Sequence, residues 1–482
     1  MRELTLAIDQ STQGTKVLLI DLTGTIVYKT TKSHQQIINQ QGWISHNLNE
    51  IKANLKALIH DAILHVENAK INAVTITNQR ETAAAWSRVS GDPLSSAIVW
   101  QDNRAQSIVR KLANKPLSAQ IKNITGLDLS PYFTAAKFAW LLANVPAIQK
   151  AQTDNQLCLG TIDSWLLFTL TNGAVFKTEP SNACRTQLMD LSSVNWNVKL
   201  CQLFGVQITD LPEIVDSDSD FGNTNLFGEL AYTVPITSLL GDSQAALFAE
   251  NCATAGQYKV TFGTGSSIVL NTGEQQISVA GLNTSIGWRK HGHTTYILEG
   301  NVNYSGAIVT WLKNNLQLIN SPAETDTMAQ TANPDDTTLL IPAFSGLAAP
   351  YNHPDLKANL SGMTMTTGRN EIVRAGLNAI VFQIADILRL MQQVFPAMGP
   401  QLYADGGMIA NHYLMQRLSD ITQLNVATAA VQELSALGTM LNGSAIQNKS
   451  HAIGKRYTSV MKPELATKAI NVWTTQITQL TK

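Results

Sequence analysis

Two segments in opposite halves of the chain follow one pattern: an apolar strand, a polar turn, and a second apolar strand that closes at Thr-Gly. The first is "LAIDQSTQGTKVLLIDLTG" and the second is "YKVTFGTGSSIVLNTG". Any hairpin with a polar turn looks similar, so the pattern alone is a weak sign of duplication. A chain of 482 residues is too long for one core, however, so we expect two related domains, each presenting one hairpin to a shared cleft.

Small polar residues fill the turn of the first hairpin, and they have two interpretations. Gly, Ser, Thr and Asp are ordinary turn residues, so the hairpin could simply carry a polar loop. Alternatively, the small side chains let backbone N–H groups converge on a phosphate, while Lys16 adds a positive charge and Asp9 holds a magnesium ion or its waters. The hairpin alone leaves both interpretations open.

Strands and helices alternate along the chain. The segment "NEIKANLKALIHDAILHVENA" has helical periodicity and is followed by the strand pattern "INAVTIT". Further on, "NEIVRAGLNAIVFQIADILRLMQQVF" predicts a long amphipathic helix, and "QLYADGGMIANHYLMQRLSDI" predicts a strand, a glycine turn and a helix. This alternation predicts the α/β class. We place the domain boundary near residue 245, which gives domains 1–245 and 246–482.

Composition excludes several classes of function. The chain has 34 Lys and Arg against 35 Asp and Glu, a formal net charge of -1, so it lacks the charge excess that binds nucleic acid or acidic membranes. No stretch approaches the roughly 20 apolar residues that span a bilayer. The P-loop pattern GxxxxGK[ST] does not occur, and "GTGSSI" fails GxGxxG at its last glycine. We expect no nucleic acid and no membrane as partner.

Cysteine and histidine spacing gives no sign of a metal site. The four cysteines are widely spaced without a CxxC pair, which predicts structural thiols and a reduced, cytoplasmic location. His291 and His293 are the only close pair of histidines. Without a nearby carboxylate or thiol partner, they predict an exposed hairpin tip.

Ten short blocks, in their order along the chain, resemble the FGGY carbohydrate kinases, and within that family the glycerol kinases most closely. They are "DQSTQGTK", "TNQRETAAAW", "AIVWQDNRA", "SPYFTAAKFAWLL", "GTIDSWLL", "SNACRT", "GDSQAALF", "TFGTGSS", "PAFSGLAAPY" and "YADGGMIANHYLMQ". Each block alone is unspecific, but ten in the family's order are specific. They extend from Asp9 to about residue 445.

The resemblance implies two ribonuclease-H-like domains of the actin and hexokinase superfamily, each a mixed sheet flanked by helices. ATP and a small hydroxylated substrate would meet in the cleft between them. The first hairpin turn then matches the family's phosphate loop, with Asp9 near Mg2+ and with Thr12, Gln13, Gly14 and Lys16 around the phosphates. Glycerol kinases carry arginine where this chain has Lys16, a change that keeps the charge but loses the bidentate geometry.

The resemblance places the other nucleotide-binding residues in the C-terminal half. They are Thr264 and Gly265 in the second hairpin, Gly306 and Thr310 beside it, and Gly407 and Asn411 at the adenine-side turn. A glycine such as Gly407 lets the backbone approach a ring closely, although it could equally belong to a plain strand-to-helix turn.

Asp242, in "GDSQAA", matches the family's catalytic base. An alcohol is a poor nucleophile at neutral pH, and a positioned carboxylate can accept its proton as the phosphoryl group transfers. The alternative is that Asp242 caps the helix that begins at "SQAALFAEN".

Four further residues match the substrate pocket of the family. Arg80 and Glu81, in "NQRE", match the pair that hydrogen-bonds substrate hydroxyls, although an isolated Arg-Glu is more often an ion pair at a strand end. Trp100 and Tyr132 match positions around the same pocket, although large aromatic residues more often belong to the core.

Two pocket positions differ from glycerol kinases in the same direction. Ser243 stands where those enzymes have glutamine, and Ser267 where they have an aromatic residue. Both changes predict a larger and wetter pocket, suited to a four- or five-carbon polyol or ketose such as erythritol, erythrulose or xylulose. Against xylulose, xylulokinases usually carry a Met-His pair in place of Arg80 and Glu81. The segment "VDSDSDFGNTNLFGE" lacks the histidine through which some glycerol kinases are regulated by phosphorylation.

The leading interpretation is therefore an ATP-dependent kinase of a small polyol or sugar. The alternatives are a xylulokinase-like ketopentose kinase and a non-kinase ATPase of the same superfamily, which would need neither Arg80-Glu81 nor Asp242. An inactive kinase is suggested by Lys16 and by Asn378, which stands where the family commonly has an acidic residue. The family also implies a homodimer or homotetramer.

Overall fold

The computed structural model describes residues 2–66, 69–444 and 453–481. In chain order the strands are β1 (Arg2–Gln10), β2 (Gly14–Asp21), β3 (Ile26–Ser33), β4 (Ile37–Ile38), β5 (Ile44–His46), β6 (Ala69–Asn78), β7 (Ala84–Ser87), β8 (Ala97–Ile98), β9 (Leu157–Gly160), β10 (Lys177–Thr178), β11 (Met189–Asp190), β12 (Asn195–Trp196), β13 (Glu213–Ile214), β14 (Asn223–Thr224), β15 (Val234–Gly241), β16 (Tyr258–Phe262), β17 (Ser266–Gly273), β18 (Asn283–Lys290), β19 (His293–Val302), β20 (Leu339–Ile341), β21 (Asn359–Ser361), β22 (Gln401–Gly406), β23 (Asn425–Ala429) and β24 (Ile453–Tyr457).

The α-helices lie between these strands. They are α1 (Leu48–Leu64), α2 (Gln106–Ala113), α3 (Ile121–Thr125), α4 (Thr134–Asn144), α5 (Pro146–Thr153), α6 (Ile162–Leu170), α7 (Pro180–Ala183), α8 (Val198–Leu203), α9 (Asp242–Ala249), α10 (Gly306–Asn314), α11 (Glu324–Thr331), α12 (Arg369–Val394), α13 (His412–Thr422), α14 (Leu434–Asn442) and α15 (Pro463–Leu480). The helices and strands predicted from the quoted segments are present, including the long helix α12.

Two mixed sheets dominate the fold, and they repeat one arrangement. The first has the order β14-β15-β6-β1-β2-β3, and the second has the order β18-β19-β17-β16-β22-β23-β24. In the first, β1 pairs antiparallel with β2 and parallel with β6. In the second, β16 pairs antiparallel with β17 and parallel with β22 in the same way. The duplication suggested by the two hairpins is therefore visible in the topology.

The central strands are apolar along most of their length because helices cover them. In the first sheet, Leu6, Ile8 and Ile76 belong to a core closed by α1 and α6. In the second sheet, Val260 and Leu402 belong to a core closed by α12 and α13. Each sheet thus has its own core, as expected for two α/β domains flanked by helices.

A third apolar cluster joins the two sheets. It includes Ala7 and Leu18 from the first sheet, Val269 from the second, and residues of α9 and α14. The predicted boundary near residue 245 falls within α9, which lies between the last strand of the first sheet and the first strand of the second. The exact boundary stays a prediction.

The remaining expectations about the chain can be compared with the described residues. Their helices include none long and apolar enough to cross a membrane. All four cysteines are buried free thiols. His291 and Gly292 form the exposed tip between β18 and β19 with positive φ angles of 50° and 79°, so the predicted hairpin tip is confirmed. The expectation that no carboxylate lies near the two histidines was wrong, because His291 lies 3.6 Å from Asp218 and His293 lies 3.1 Å from Glu274.

Candidate active site

Asp242 lies at the point where β15 gives way to α9. Gly241 precedes the helix, and a Cβ there would lie 2.8 Å from Cδ of Arg80, so the glycine lets Arg80 pack against the turn. The carboxylate accepts a hydrogen bond of 2.7 Å from the backbone N–H of Ser243 and lies 3.3 Å from Nε of Arg80. It is 37% exposed and does not cap α9, since Gly241 occupies the N-cap position.

The surroundings of Asp242 favour a protonatable carboxylate. Partial burial raises its pKa, Arg80 lowers it, and the negative charges of Glu81 and Glu299 raise it again. The net pKa is above the ordinary value for aspartate. A carboxylate that is 37% exposed and has a raised pKa is suited to accept a proton.

Arg80 and Glu81 follow β6 and point to different partners. Arg80 contacts Asp242 through Nε, and its NH2 group lies 3.3 Å from Oε1 of Glu299. Glu81 has a positive φ of 61° and accepts a hydrogen bond of 2.5 Å from Nε of Arg185. The simple Arg80–Glu81 ion pair considered from the sequence is thus replaced by a wider network. A strained backbone at Glu81 fits a functional position held by its surroundings.

Two members of this network, Arg185 and Glu299, were not predicted from the sequence. Arg185 is fully buried, and its NH1 group lies 2.7 Å from Oε2 of Glu299 and 2.9 Å from Oγ of Ser285. Burial raises the pKa of Glu299, but Arg185 and Arg80 outweigh it and bring the pKa to about 2, so the carboxylate stays ionised. We call Arg80, Glu81, Arg185, Asp242 and Glu299 the charge cluster.

Both missed residues had a signal in the sequence. Arg185 lies within "SNACRT", one of the blocks that carry the resemblance. Glu299 is a lone carboxylate in the strand "HTTYILEGNV", and a charge within a buried strand is rare unless it is paired. The signal shows that Glu299 needs a cation but does not show which one.

Aromatic rings form one wall beside the charge cluster. The rings of Trp100 and Tyr132 meet edge to face at 5.6 Å, and both residues are half-buried, not core residues. Lys137 is fully buried behind them and donates hydrogen bonds to the carbonyl groups of Pro131 and Tyr132. Lys137 therefore holds the segment that carries Tyr132.

The two serines that depart from the family both contact the charge cluster. The hydroxyl of Ser267, at the start of β17, donates a hydrogen bond of 3.0 Å to Oε1 of Glu299. The hydroxyl of Ser243 lies 3.4 Å from Oδ1 of Asp242. Each serine thus contacts a member of the charge cluster, and the larger pocket that the two were predicted to line stays a prediction.

The first hairpin turn carries the predicted phosphate-loop residues. Thr12 is half-buried and Gln13 is exposed. Gly14 is buried, and a Cβ there would lie 2.9 Å from the carbonyl oxygen of Lys32, so strand packing alone explains this glycine. The Lys16 ammonium lies 2.7 Å from Glu433 and 3.7 Å from Asp9, an arrangement that balances one cation between two carboxylates.

The carboxylate of Asp9 fits a magnesium site in which the other oxygen ligands come from phosphate and water. Burial raises the pKa of Asp9, Lys16 lowers it, and the charges of Asp242 and Glu433 raise it again, so that the net pKa is about 6. Within the described parts of the chain no three acidic, histidine or cysteine side chains form a metal cage. Mg2+ commonly binds through one or two carboxylates together with phosphate oxygens and water. Asp9 could serve as the protein's carboxylate in such a site.

The second hairpin turn packs tightly against α10. Thr264 is exposed at its tip, and a Cβ at Gly265 would lie 2.3 Å from the carbonyl oxygen of Val302. Gly306 donates its N–H to the carbonyl of Gly263 at 3.0 Å, and Thr310 bonds back to Gly306. The structure therefore brings the four residues predicted here, Thr264, Gly265, Gly306 and Thr310, into one region.

The turn after β22 holds the last two predicted nucleotide-binding residues. A Cβ at Gly407 would meet nothing within 4 Å, so the space above this residue is open. Asn411 caps α13 by accepting the N–H of Leu414 at 2.8 Å, and its amide donates to Thr325 at 2.9 Å. Asn411 thus has a structural role, and its predicted role in nucleotide binding stays a prediction.

Two family models together match nearly the whole chain. Residues 4–249 match the N-terminal domain of the FGGY family of carbohydrate kinases, and residues 258–445 match its C-terminal domain. A glycerol kinase from Alcanivorax borkumensis is 40% identical over 437 residues, which cover 90% of this chain and 87% of the relative.

Solved structures share the fold. The glycerol kinase of Plasmodium falciparum, solved with ADP, superimposes with a TM-score of 0.94 at 33% identity and covers 99% of this chain and 98% of its own. A xylulose kinase from Lactobacillus acidophilus superimposes with a TM-score of 0.87 at 20% identity, covering 99% and 98% of the two chains. At that identity the second likeness concerns the fold alone.

Proposed function

Because this chain belongs to the FGGY family of carbohydrate kinases and is an ATP-dependent phosphotransferase with an alcohol acceptor, we propose that its acceptor is a small polyol or sugar bound at the charge cluster. The pocket suits a four- or five-carbon polyol or ketose. The observation that supports this size is the pair of serines, Ser243 and Ser267, at the wall formed by Asp242 and Glu299.

Asp242 acts as the general base. Its carboxylate takes the proton of the acceptor hydroxyl while that oxygen forms a bond to the γ-phosphorus of ATP. The bond from the γ-phosphorus to the bridging oxygen breaks, and ADP leaves with that oxygen. Arg80 and Glu81 orient neighbouring hydroxyls, the first as a donor and the second as an acceptor. Trp100 and Tyr132 cover the carbon chain and exclude water.

The two hairpins hold the nucleotide. Thr12, Gln13, Gly14 and Lys16 would surround the phosphates from one side, and the residues around Thr264 from the other. Gly407 leaves room for the adenine to approach the backbone. When Mg2+ is bound with the nucleotide at Asp9, it supplies positive charge that neutralises the phosphate oxygens.

Glycerol, the acceptor named for the curated relatives, is the reference against which acceptor size is judged. An aromatic residue at position 267 would fill space that the Ser267 side chain leaves to the ligand. The hydroxyl of Ser267, which donates to the buried carboxylate of Glu299, can accept a hydrogen bond from an additional hydroxyl of the acceptor. A longer polyol gains contacts there, whereas glycerol leaves the polar wall to water.

The alternatives receive less support. Solved xylulose kinases share the fold at 20% identity or less, so they carry no argument about this acceptor. A non-kinase ATPase would not need the buried arginines and carboxylates that surround Asp242. The homodimer or homotetramer and the cytoplasmic location expected from the sequence stay predictions.

A coupled assay of ADP release tests the proposal. The wild-type protein, ATP and magnesium are combined with glycerol, erythritol, erythrulose, xylulose, ribulose, xylitol, arabitol or gluconate, and Asp242→Asn measures the background. We expect acceptor-dependent ADP release, with the highest kcat/KM on a four- or five-carbon compound. Highest kcat/KM on glycerol would refute the larger pocket. ADP release that is independent of every acceptor would favour an ATPase.

A further inference from the structure

Glu299 connects the two halves of the protein at the acceptor pocket. It lies on β19 of the second sheet, whereas Arg80 and Arg185 belong to the part of the chain that forms the first sheet. Its Oε1 contacts Arg80 at 3.3 Å and its Oε2 contacts Arg185 at 2.7 Å. One carboxylate therefore bridges two arginines of the other half.

Each of these arginines in turn contacts a proposed acceptor-binding residue. Arg80 lies 3.3 Å from Asp242, and Arg185 lies 2.5 Å from Glu81. The carboxylate of Glu299 has no comparable contact with either acid. Apart from its negative charge, which raises the pKa of Asp242, Glu299 would therefore act on Asp242 and Glu81 through the arginines.

We propose that Glu299 is a positioning residue of the acceptor pocket, which holds Arg80 beside Asp242 and Arg185 beside Glu81. This inference rests on the proposed function, because it concerns the pocket in which the acceptor binds. It adds a contribution from the nucleotide-binding half to the binding of the acceptor.

Burial keeps water from replacing the partners of Glu299. The side chains of Glu299 and Arg185 are 1% and 0% exposed, so water cannot take the place of either partner. If the carboxylate of Glu299 were removed, Arg80 could pair more completely with Asp242, and Arg185 would keep its hydrogen bonds to Glu81 and Ser285. Both acids would then be less available to the acceptor hydroxyls.

Ser267 provides the third contact of the Glu299 carboxylate. Its hydroxyl donates to the same Oε1 that faces Arg80. Ser267 therefore reports on the orientation of Glu299 without carrying a charge. Its replacement by alanine should have the same direction of effect as a change at Glu299, but a smaller one.

The test compares Glu299→Gln and Glu299→Asp with the wild-type enzyme on its best acceptor. The first variant removes the charge, and the second keeps the charge but shortens the side chain, so it remains informative if the first fails to fold. We expect the acceptor KM to rise about tenfold or more in both, as for the loss of a charge-assisted hydrogen bond, with the ATP KM unchanged. The thermal shift produced by acceptor alone should weaken in parallel.

Asp386→Asn is the matched control. Asp386 is also a buried carboxylate of the C-terminal half, and it accepts hydrogen bonds from Tyr351 and Trp473, which are not members of the charge cluster. This variant should lower the melting temperature without changing the acceptor KM. An acceptor KM that changes equally in Asp386→Asn and Glu299→Asp would indicate general destabilisation and overturn the proposal.

The two proposals fail in different ways. An active Glu299→Asp enzyme with an unchanged acceptor KM would overturn the role of Glu299 and leave the proposed function intact. A wild-type protein that neither binds nor phosphorylates any acceptor of the panel would overturn both. A rise in the ATP KM alone would also contradict the assignment, because it would place Glu299 on the nucleotide side.

Discussion

The indole N–H of Trp100 donates a hydrogen bond of 2.9 Å to the hydroxyl of Thr12. Trp100 belongs to the aromatic wall of the proposed acceptor pocket, and Thr12 belongs to the turn of the first hairpin. The proposed acceptor pocket and the predicted phosphate loop are therefore joined by a direct contact between side chains. A change at this contact should affect both substrates.

Trp100→Phe should raise the KM for ATP and for the acceptor by about 2- to 10-fold each, the range expected for one neutral hydrogen bond. An aromatic ring still occupies this position in the variant, so the fold should be unaffected. Trp140→Phe is the control, because Trp140 packs against Trp43 and Arg104 away from the pocket. Steady-state kinetics with each substrate varied in turn gives the answer. A change in only the acceptor KM would show that Thr12 does not depend on Trp100.

Asp242→Asn should lower kcat by about 100-fold or more, the usual contribution of a general base, and leave nucleotide binding nearly intact. Calorimetric titration with ADP checks the second part. Loss of ADP binding in this variant would contradict the role of Asp242 as a base.

The pH dependence should follow the raised pKa of Asp242. Only the ionised carboxylate accepts a proton, so kcat/KM should fall as pH decreases through a pKa above that of free aspartate. The folded state binds this proton more tightly than the unfolded chain, so ionised Asp242 lowers stability at pH values above the unfolded-state pKa. Asp242→Asn should remove that effect and should not lower the melting temperature at neutral pH. A marked decrease would show that the carboxylate stabilises the fold.

Lys16→Met should raise the KM for ATP by about tenfold, because Asp9 and Glu433 would then repel the phosphates without a cation between them. Lys29→Met is the matched control, since Lys29 also contacts Glu433, at 3.0 Å, but lies on the neighbouring strand. It should leave the ATP KM unchanged. Equal effects of both variants would show that Lys16 only neutralises Glu433.

Ser267→Phe should shift the preference toward glycerol by about tenfold or more in relative kcat/KM, because the ring would fill the space left by the serine. Ser267→Ala keeps the space and removes only the hydroxyl, so it separates volume from hydrogen bonding. Relative kcat/KM values across polyols of increasing length provide the comparison. Unchanged ratios in Ser267→Phe would refute the effect of pocket size.

Gly407→Ala should fold normally and raise the ATP KM, because its Cβ would occupy the open space proposed for the adenine. Gly406→Ala should instead destabilise the fold, since Gly406 has a φ of 94° and a Cβ there would lie 2.2 Å from the carbonyl oxygen of Phe262. Melting temperatures and ATP titrations of both variants distinguish the roles. An unchanged ATP KM in a stable Gly407→Ala enzyme would place the adenine elsewhere.

Much of the secondary structure could be predicted from local sequence patterns. Both hairpins and the long helix α12 follow from the spacing of apolar residues and from turn residues close together in the chain. The resemblance to a family predicted two domains with mixed sheets, which the structure has, and it assigned the catalytic base to Asp242, which stays a prediction. Neither the local patterns nor the resemblance depends on predicting which distant residues contact each other.

The charge cluster could not be predicted in this way. Arg80 and Glu299 are 219 positions apart, and nothing in either local sequence names the other as its partner. The capping role considered for Asp242 was also wrong, because the N-cap of α9 is Gly241. Arg80, which is distant in the sequence, packs against this turn. Long-range ion pairs of this kind depend on how the two halves meet.

Competition between two acceptors tests the central claim most directly. Equal concentrations of glycerol and erythritol are mixed with the wild-type enzyme and limiting ATP, and the two phosphorylated products are counted by mass spectrometry, which gives the ratio of their kcat/KM values. We predict that phosphorylated erythritol predominates. Predominance of phosphorylated glycerol would contradict a pocket enlarged by Ser243 and Ser267.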